Sequence, residues 1–202
     1  MTLRYTTLRV TEAGVVLYAA HRERLGSDTQ LAFDRFAATA TPGVYAVSAE
    51  GGVLDVVRRA GSRLFDGIPT RHLPSPLAPG RGALAKPAPP CPYDAVRTQG
   101  CATLLTDESG AEILESCSAA VLTWDGRALV AAPEDRSRVA STAEGAILAR
   151  LSFRRAPRLV KDAAALILVN AVALTCLPQG STFPSAVRAQ LDEVLGNTTR
   201  RP

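Results

Sequence analysis

The sequence predicts an α+β fold, and three observations support this prediction. Short alternating stretches separated by turns occur at residues 3–18, 44–58 and 101–132, a spacing typical of antiparallel hairpins. Few stretches show helical periodicity, and they do not alternate regularly with strands, which disfavours a doubly wound parallel sheet. The motifs GxGxxG, GxxxxGK(S/T) and GxSxG, which mark dinucleotide-binding, P-loop and α/β-hydrolase folds, are absent from the sequence.

The N-terminal part carries two predicted hairpins with helical residues between them. β-branched and aromatic side chains, interrupted by glycine-containing turns, predict strands at residues 3–10, 15–18, 44–48 and 53–58. A helix begins near Ala19, and a second one follows Ser27 or Asp28, because either residue is a suitable N-cap. These elements predict a small N-terminal α+β lobe over residues 1–73.

Residues 74–92 differ in composition from the rest of the chain. They contain seven prolines, which exclude a regular helix or a central strand. This segment is therefore predicted to be a linker, either a simple one or one that also lines a cleft, since Lys86 lies within it. A larger, β-rich lobe over residues 93–202 would follow.

The predicted C-terminal lobe consists mainly of short strands. Tyr93 begins a short predicted helix over residues 93–98, and Ser141 or Thr142 precedes another at residues 143–151. Pro184 suits the first turn of a terminal helix that extends to residue 195. The predicted strands are residues 101–106, 111–114, 119–124, 128–132 and 166–169.

Composition and charge narrow the functional class. The 202-residue chain is 47% hydrophobic and 21% charged, as in globular proteins, and no apolar run is long enough to span a bilayer. The net charge of +4 is spread out, with its densest cluster at residues 154–158, and aromatic residues make up 5%. We interpret the basic residues as a solvated or anion-binding surface and expect no nucleic-acid partner.

The cysteines and the N-terminus indicate a cytoplasmic protein. The four cysteines, at positions 91, 101, 117 and 176, show no CxxC or CxxH spacing, so no metal site is expected. The first ten residues lack the apolar segment of a signal peptide. We therefore expect reduced thiols, a cytoplasmic location and no membrane partner.

Three stretches, in this order, resemble one enzyme family. Residues 6–25 resemble an N-terminal hairpin followed by a His-x-x-Arg-Leu signature, here His21, Arg24 and Leu25. Residues 101–133 resemble a block with a glutamate at the position of Glu115, and residues 166–180 resemble a late strand and turn. The sequence is thus similar to the fold-type IV pyridoxal-phosphate (PLP) enzymes, which include class IV aminotransferases (branched-chain and D-amino-acid) and aminodeoxychorismate lyase. The resemblance implies a two-lobed architecture like that of D-amino-acid aminotransferase, in an abbreviated and divergent member.

This resemblance implies roles for six residues. The arginine of the signature binds the PLP phosphate, a role that Arg24 inherits and that suits a guanidinium. Glu115 would face the pyridine nitrogen. The chain has two lysines, Lys86 and Lys161, and only Lys86 precedes Glu115 as the family requires, so Lys86 is the predicted Schiff-base and catalytic lysine. The remaining predicted cofactor-binding residues are Ser141 and Thr142 near the phosphate and Tyr93 near the cofactor or substrate.

Several positions depart from the family pattern and leave two functions open. Pro87 follows the lysine directly, Ala120 replaces an asparagine, and Glu144 replaces an arginine at the phosphate turn. The first interpretation is a PLP-dependent aminotransferase or 4-amino-4-deoxychorismate lyase-like enzyme, a homodimer acting on an amino acid or amino-chorismate-type substrate. The second is a cofactor-free homologue that keeps the fold and binds a small anion, serves as a partner subunit, or works without PLP.

Overall fold

The computed structural model of the protein describes residues 3–60, 69–88, 90–97, 101–177 and 184–196. Mixed sheets and short helices make up an α+β architecture, so the predicted fold class is confirmed. Among the described residues, no helix combines the length and the apolar character that crossing a bilayer requires.

The N-terminal elements form a four-stranded antiparallel sheet with two helices. The strands lie in the order β2-β1-β3-β4. The elements are β1 (Arg4–Thr11), β2 (Gly14–Val15), α1 (Tyr18–Leu25), α2 (Gln30–Thr39), β3 (Gly43–Glu50) and β4 (Val53–Arg59). Both predicted hairpins are present, but the predicted strand 15–18 ends at Val15, because Leu17 adopts a left-handed conformation (φ 56°) from which α1 begins.

The two faces of this sheet have different environments. The helices cover one face, where Leu8, Phe33 and Val47 are fully buried. Side chains of paired antiparallel residues share a face, so Arg9, Val44 and Arg59 lie together on the opposite side, with Tyr5 and Thr7 in the same alternation along β1. This second face is therefore free to form one wall of a cavity.

The connection between α1 and α2 differs from the prediction. Neither Ser27 nor Asp28 caps α2 through its side chain, because residues Ser27–Thr29 form a 3₁₀ turn before the helix. The Asp28 carboxylate instead accepts two hydrogen bonds from Arg4, at 2.5 and 2.6 Å. The polar side chain thus ties the helical layer to β1.

From residue 70 onward, the described residues form ten strands and two helices. These elements are β5 (Thr70–Pro74), β6 (Ala83–Leu84), β7 (Ala102–Thr106), β8 (Ile113–Ser116), β9 (Ala120–Trp124), β10 (Leu129–Ala131), β11 (Arg138–Val139), α3 (Thr142–Leu148), β12 (Phe153–Arg155), β13 (Ala165–Val169), β14 (Leu174–Leu177) and α4 (Ser185–Gly196). They form sheets in the orders β12-β10-β9-β13-β14, β5-β7-β8 and β11-β6.

Two of the three predicted helices of this part are shorter in the structure, whereas the terminal helix predicted at residues 184–195 is present as α4. The helix predicted at residues 143–151 spans Thr142–Leu148, and Ser141 is its N-cap, accepting from the Glu144 N–H at 3.2 Å. The helix predicted at residues 93–98 is a 3₁₀ turn, Pro92–Ala95, and Thr98 lies outside the described residues.

The proline-rich segment links the two parts of the molecule. It contains the end of β5, which runs parallel to β7, and the two-residue strand β6, which pairs with β11. Between β6 and the turn at Pro92 the described residues form no regular element, in keeping with the proline content. The lobe boundaries at residues 73 and 93 remain a prediction.

A shared core joins the N-terminal hairpin to the C-terminal sheet. Val16 and Leu17, in the connection between β2 and α1, pack in one cluster with Leu122, Ile147 and Leu191. Burying apolar side chains of this size stabilises the contact by about 1.5–3 kcal/mol each. The space between the two parts is thus held in a defined shape.

Candidate functional site

A cavity of about 400 Å³ lies between the open face of the N-terminal sheet and the C-terminal hairpins. All six residues predicted to act at a site line this one cavity: Arg24, Lys86, Tyr93, Glu115, Ser141 and Thr142. The volume lies within the range of roughly 300–1,000 Å³ that is usual for small-molecule sites.

Five different parts of the chain bring these residues together, and the 3₁₀ turn Pro92–Ala95 supplies Tyr93. Arg24 comes from α1, and Lys86 from the proline-rich segment. Glu115 lies on β8, and its neighbouring turn, residues 116–120, forms part of the same wall. Ser141 is the N-cap of α3, and Thr142 is the first residue of that helix. The site therefore exists only when both parts of the molecule are folded against each other.

The Lys86 side chain lies against the N-terminal sheet. Its Nζ donates to Thr7 Oγ1 at 3.4 Å and stands 5.2 Å from the centre of the Tyr5 ring. Both partners come from the cavity-facing side of β1. A long hydrogen bond and a cation–π contact hold an amine only moderately, so this amine can leave them for a ligand in the cavity.

The Lys86 amine is also unusually acidic. Burial is the largest cause, followed by repulsion from Arg24, Arg59 and Arg97, and together they lower the pKa of Lys86 to about 8. About a tenth of the molecules then carry the neutral, nucleophilic amine at pH 7. An ordinary surface lysine, with a pKa near 10.4, would carry far less.

Arg24 places a guanidinium in the cavity without a carboxylate partner among the described residues. Its Nη2 donates to the carbonyl oxygen of Ala140, at the start of the segment that leads into α3. Burial lowers the pKa of Arg24. A cation that is half-buried and has no acidic partner is stabilised by an anionic ligand.

Ser141 and Thr142 adjoin this arginine. The Ser141 oxygen already accepts the Glu144 N–H, but its own hydroxyl hydrogen can still be donated to a ligand. Both side chains are half-buried and line the cavity near Ala140. Arg24 and the two hydroxyls thus supply donors of the kind that bind a phosphate.

Glu115 is buried and bound by two donors. The Tyr93 hydroxyl donates to Glu115 Oε1 at 2.5 Å, and the Val139 N–H contacts both carboxylate oxygens, at 3.1 and 3.0 Å. Burial is the largest influence and raises the pKa of Glu115 to about 7, although these hydrogen bonds act in the opposite direction. Burial likewise raises the pKa of Tyr93, so its phenol stays protonated and acts as a donor.

The raised pKa of Glu115 predicts how stability depends on pH. Between its ordinary value of 4.5 and its folded value of about 7, the folded protein binds the proton that the unfolded chain has released, so this residue lowers stability as pH rises. Glu115→Gln should therefore gain stability relative to wild type between pH 5 and pH 8, by at most about 3 kcal/mol. Urea unfolding of both proteins at the two pH values measures this change. If the free energies of unfolding of the two proteins differed by the same amount at pH 5 and at pH 8, the raised pKa of Glu115 would be contradicted.

His21 stays neutral beneath the site. Burial first, and then the charges of Arg24 and Lys86, lower the pKa of His21 to about 3. A 2.7 Å hydrogen bond joins its Nδ1 to Thr6 Oγ1. The first residue of the His-x-x-Arg-Leu signature therefore ties α1 to β1.

A buried ion pair lies next to Ser141 and Thr142, in the part of the protein that adjoins the predicted phosphate-binding residues. Glu144, which the sequence places where the family has an arginine, is buried and bound by Arg138 Nη1 at 2.8 Å, so its charge is compensated within the protein.

The expectation that the 154–158 cluster is solvated is wrong for Arg158. That residue is buried because its guanidinium donates to the carbonyl oxygens of Leu114 and Val121. It thereby braces the strand that carries Glu115.

Sequence reasoning missed four further residues of the cavity. Tyr5 and Thr7 contact the lysine, and Arg59 and Arg97 bring additional positive charge. The alternation of Tyr5 and Thr7 along β1 placed them on one face, but only the pairing of β1 with β3 and β4 determines which face meets the cavity. No local sequence motif marks Arg59 or Arg97 as a residue of the cavity.

Comparison with known proteins gives the fold. No family model and no curated protein matches the sequence. Among solved structures, a protein from Mesorhizobium loti assigned as an amino-acid aminotransferase is 18% identical, with a TM-score of 0.69 over 86% of this chain and 97% of that one. The 4-amino-4-deoxychorismate lyase from Pseudomonas aeruginosa is 15% identical, with a TM-score of 0.66 over 96% and 90%.

A third similar structure is the PLP-bound form of a hypothetical aminotransferase from Mycobacterium tuberculosis. It is 17% identical, with a TM-score of 0.59 over 96% of this chain and 88% of that one. The protein therefore has the fold of the fold-type IV aminotransferases and lyases, as the sequence resemblance predicts. At these identities the likeness establishes the fold alone.

Proposed function

We propose that the protein is a PLP-dependent enzyme, an aminotransferase or an aminodeoxychorismate lyase-like enzyme, that acts on an amino substrate through Lys86. The observation that carries this proposal is that the six residues predicted from the sequence line one cavity. The likeness to aminotransferase and lyase structures supports the same class.

The residues of the cavity fit this cofactor. A buried amine with a pKa of about 8, an arginine without an acidic partner and a buried carboxylate match an aldehyde, a phosphate and a ring nitrogen. A carboxylate accepts about four hydrogen bonds, and the three contacts that Glu115 makes leave it room for one more.

Lys86 would carry both covalent attachment and proton movement. When bound, PLP supplies an aldehyde for an amine and a ring that withdraws electrons from bonds at the substrate's α-carbon. The neutral fraction of Lys86 Nζ could attack an aldehyde carbon, whose oxygen leaves as water. When this amine is free, it could take a proton from the substrate's α-carbon and return it. When the Lys86 amine is not bound to a ligand, Thr7 and Tyr5 can bind it within the cavity.

The remaining residues would orient the ligand. Arg24 binds a phosphate through its guanidinium, and the Ser141 and Thr142 hydroxyls add neutral donors. Glu115 accepts a proton or hydrogen bond from the ring nitrogen at the other end, and Tyr93 keeps its carboxylate in place through the 2.5 Å hydrogen bond. Because the phosphate would bind at Arg24 and the ring nitrogen at Glu115, these two residues would fix the orientation of the ligand in the cavity.

Binding of PLP and of pyridoxal, which lacks the phosphate, tests the proposal. In Arg24→Gln, the affinity for PLP should fall by roughly ten- to a hundredfold, because a charged hydrogen bond is lost. The affinity for pyridoxal should stay within about twofold. The control is Arg22→Gln, since Arg22 is on the same helix but pairs with Asp34 outside this cavity. Absorbance titration measures all three proteins.

Two outcomes would count against the proposal. A wild-type protein that bound neither PLP nor pyridoxal would contradict the assignment of this cofactor. Equal losses for PLP and pyridoxal in Arg24→Gln would place the phosphate elsewhere in the cavity.

One observation favours the alternative of a cofactor-free protein. The Tyr93 hydroxyl already binds Glu115 Oε1 and therefore competes for the carboxylate that would serve the ring nitrogen. Without PLP, the same basic cavity would bind a small anion. Saturable binding of orthophosphate by a protein that does not bind PLP would support this alternative. Homodimer formation and a cytoplasmic location remain predictions.

A further inference from the structure

Two cysteines line the cavity, and the proposed function uses neither of them. Cys91 lies in the proline-rich segment, just before the Pro92–Ala95 turn, and Cys117 lies in the turn that follows β8. Both thiols are free. The other two cysteines, Cys101 and Cys176, are not among the described residues that line the cavity.

The two sulfur atoms of the cavity belong to one cluster of side chains. Tyr93 and Cys117 are buried in this cluster, and Cys91 packs against it. Burial is the largest of the causes that raise the pKa of Cys117 to about 11, and the proximity of Cys91 is another. The two sulfurs are therefore neighbours in the wall of the cavity.

The two thiols differ in how easily a small reagent reaches them. Cys117 is buried, and its pKa of about 11 keeps it protonated near neutrality. Cys91 is half-buried and lines the cavity, which is open to solvent. Oxidation of thiols follows their accessibility as well as their chemistry. The pair therefore combines an accessible thiol with a buried neighbour.

The Cys91 side chain can turn toward Cys117 without the loss of a regular element. Between β6 and the Pro92–Ala95 turn, the described residues form no helix or strand. The Cys91 sulfur accepts a hydrogen bond from the Asp94 N–H, but this N–H also donates to the Cys91 carbonyl oxygen at 2.9 Å. Because sulfur is a weak acceptor, little is lost when it leaves.

We propose that Cys91 and Cys117 form a redox-sensitive pair, that hydrogen peroxide converts the pair to a disulfide, and that this bond closes the cavity beside Glu115. The Cys91 sulfur attacks one peroxide oxygen, the O–O bond breaks, and a sulfenic acid and water form. The Cys117 sulfur then attacks the Cys91 sulfur, the S–O bond breaks, and a second water leaves. Two electrons pass from the sulfurs to the peroxide, and both thiol protons end in water.

The disulfide changes the cavity because both of its sulfurs belong to the cavity wall. Cys91 lies in the same proline-rich segment as Lys86, and Cys117 follows the strand of Glu115. A disulfide holds two Cα atoms about 4.4–6.8 Å apart. The segment that carries Lys86 is thereby drawn against the strand that carries Glu115, and a ligand with an aromatic ring no longer reaches the amine.

The intact mass of the full chain tests the formation of the disulfide. In protein that carries Cys101→Ser and Cys176→Ser, only the cavity pair remains, and hydrogen peroxide should lower the mass of the monomer by two hydrogens. Dithiothreitol should restore the mass. When Cys117→Ser is added, the protein should instead gain one oxygen at Cys91, since no second thiol is present to displace it.

Reductive alkylation with 4-carboxybenzaldehyde and cyanoborohydride tests the closure of the cavity, because cyanoborohydride leaves disulfides intact. Peroxide treatment should slow alkylation of Lys86 by at least about tenfold. Lys161 is exposed and serves as the internal control, with an unchanged rate. Dithiothreitol should restore the rate at Lys86, and Cys117→Ser should keep most of that rate after peroxide treatment.

The outcomes separate this inference from the proposed function, since neither measurement uses PLP. Protein that keeps both thiols in peroxide, or that loses two hydrogens even with Cys117→Ser, would overturn the pair. A disulfide that leaves alkylation of Lys86 unchanged would overturn the closure of the cavity. Protein that shows both effects but does not bind PLP would retain this inference and reject the proposed cofactor.

Discussion

Lys86→Ala should abolish the visible absorbance that PLP acquires on binding to the wild-type protein, and should slow amine transfer by at least about 10²–10⁴-fold. The variant removes the amine that attacks the aldehyde and moves the proton at the substrate carbon. The fold should be retained, because the side chain makes only one long hydrogen bond and one cation–π contact. Absorbance spectra and single-turnover rates with an amino donor measure the two effects.

Lys161→Ala is the matched control for this prediction. Lys161 is the only other lysine of the chain, and it is exposed in the short turn Val160–Asp162, away from the cavity residues. This variant should retain both the absorbance and the rate. A Lys86→Ala protein that kept the wild-type spectrum, or a Lys161→Ala protein that lost it, would move the attachment point away from Lys86.

Arg138→Met should destabilise the protein by about 3–5 kcal/mol, which is the second large effect that the structure predicts. Arg138 and Glu144 form an ion pair whose side chains are 9% and 4% exposed. Removing the cation leaves a buried carboxylate with its nearest charged partner gone. Because Glu144 follows Ser141 and Thr142 in α3, the variant should also weaken PLP binding. Denaturant unfolding gives the change in the free energy of unfolding.

A double variant distinguishes this pairing from a general packing effect. Arg138→Met combined with Glu144→Gln should lose clearly less stability than the sum of the two single changes, since no unpaired charge remains. The exposed pair Arg154–Asp125 is the control, and Arg154→Met should cost no more than about 1 kcal/mol. Additive losses at Arg138 and Glu144 would mean that the two residues do not act as a pair.

The elements that the sequence predicted correctly are those with strong local signals. The hairpin of β3 and β4 has a Glu50-Gly51-Gly52 turn between alternating strands, and Ser141 has the chemistry of an N-cap. The cavity residues were identified through motif order, since Arg24, Lys86 and Glu115 stand in the sequence order that the family resemblance requires. Such signals depend on neighbouring residues and do not require knowledge of distant partners.

The features that the sequence did not reveal depend on long-range contacts. β5 is a strand because it pairs with β7, and β6 because it pairs with β11 more than fifty residues away. Arg158 belongs to a run of basic residues, and nothing local shows that its guanidinium meets two buried carbonyl groups. Burial of this kind is decided by tertiary packing, which overrides the usual exposure of arginine.

The proline-rich segment shows how an unusual sequence can serve a site. Its prolines exclude helix, and the described residues between β6 and the Pro92 turn form no regular element. Pro87 biases Lys86 itself to an extended backbone. The lysine is thereby presented to the face of β1 that carries Tyr5 and Thr7. Pro87 departs from the family pattern, but it is compatible with the position that Lys86 needs for the proposed chemistry.

The most direct test of the account is to incubate the protein with PLP, reduce it with borohydride and locate the modified peptide by mass spectrometry. The account predicts a stable adduct on Lys86, with Lys161 unmodified and no adduct formed when Lys86 is alanine. A protein that yields no adduct at any lysine, or one that carries it on Lys161, would contradict the claim that this cavity binds PLP through Lys86.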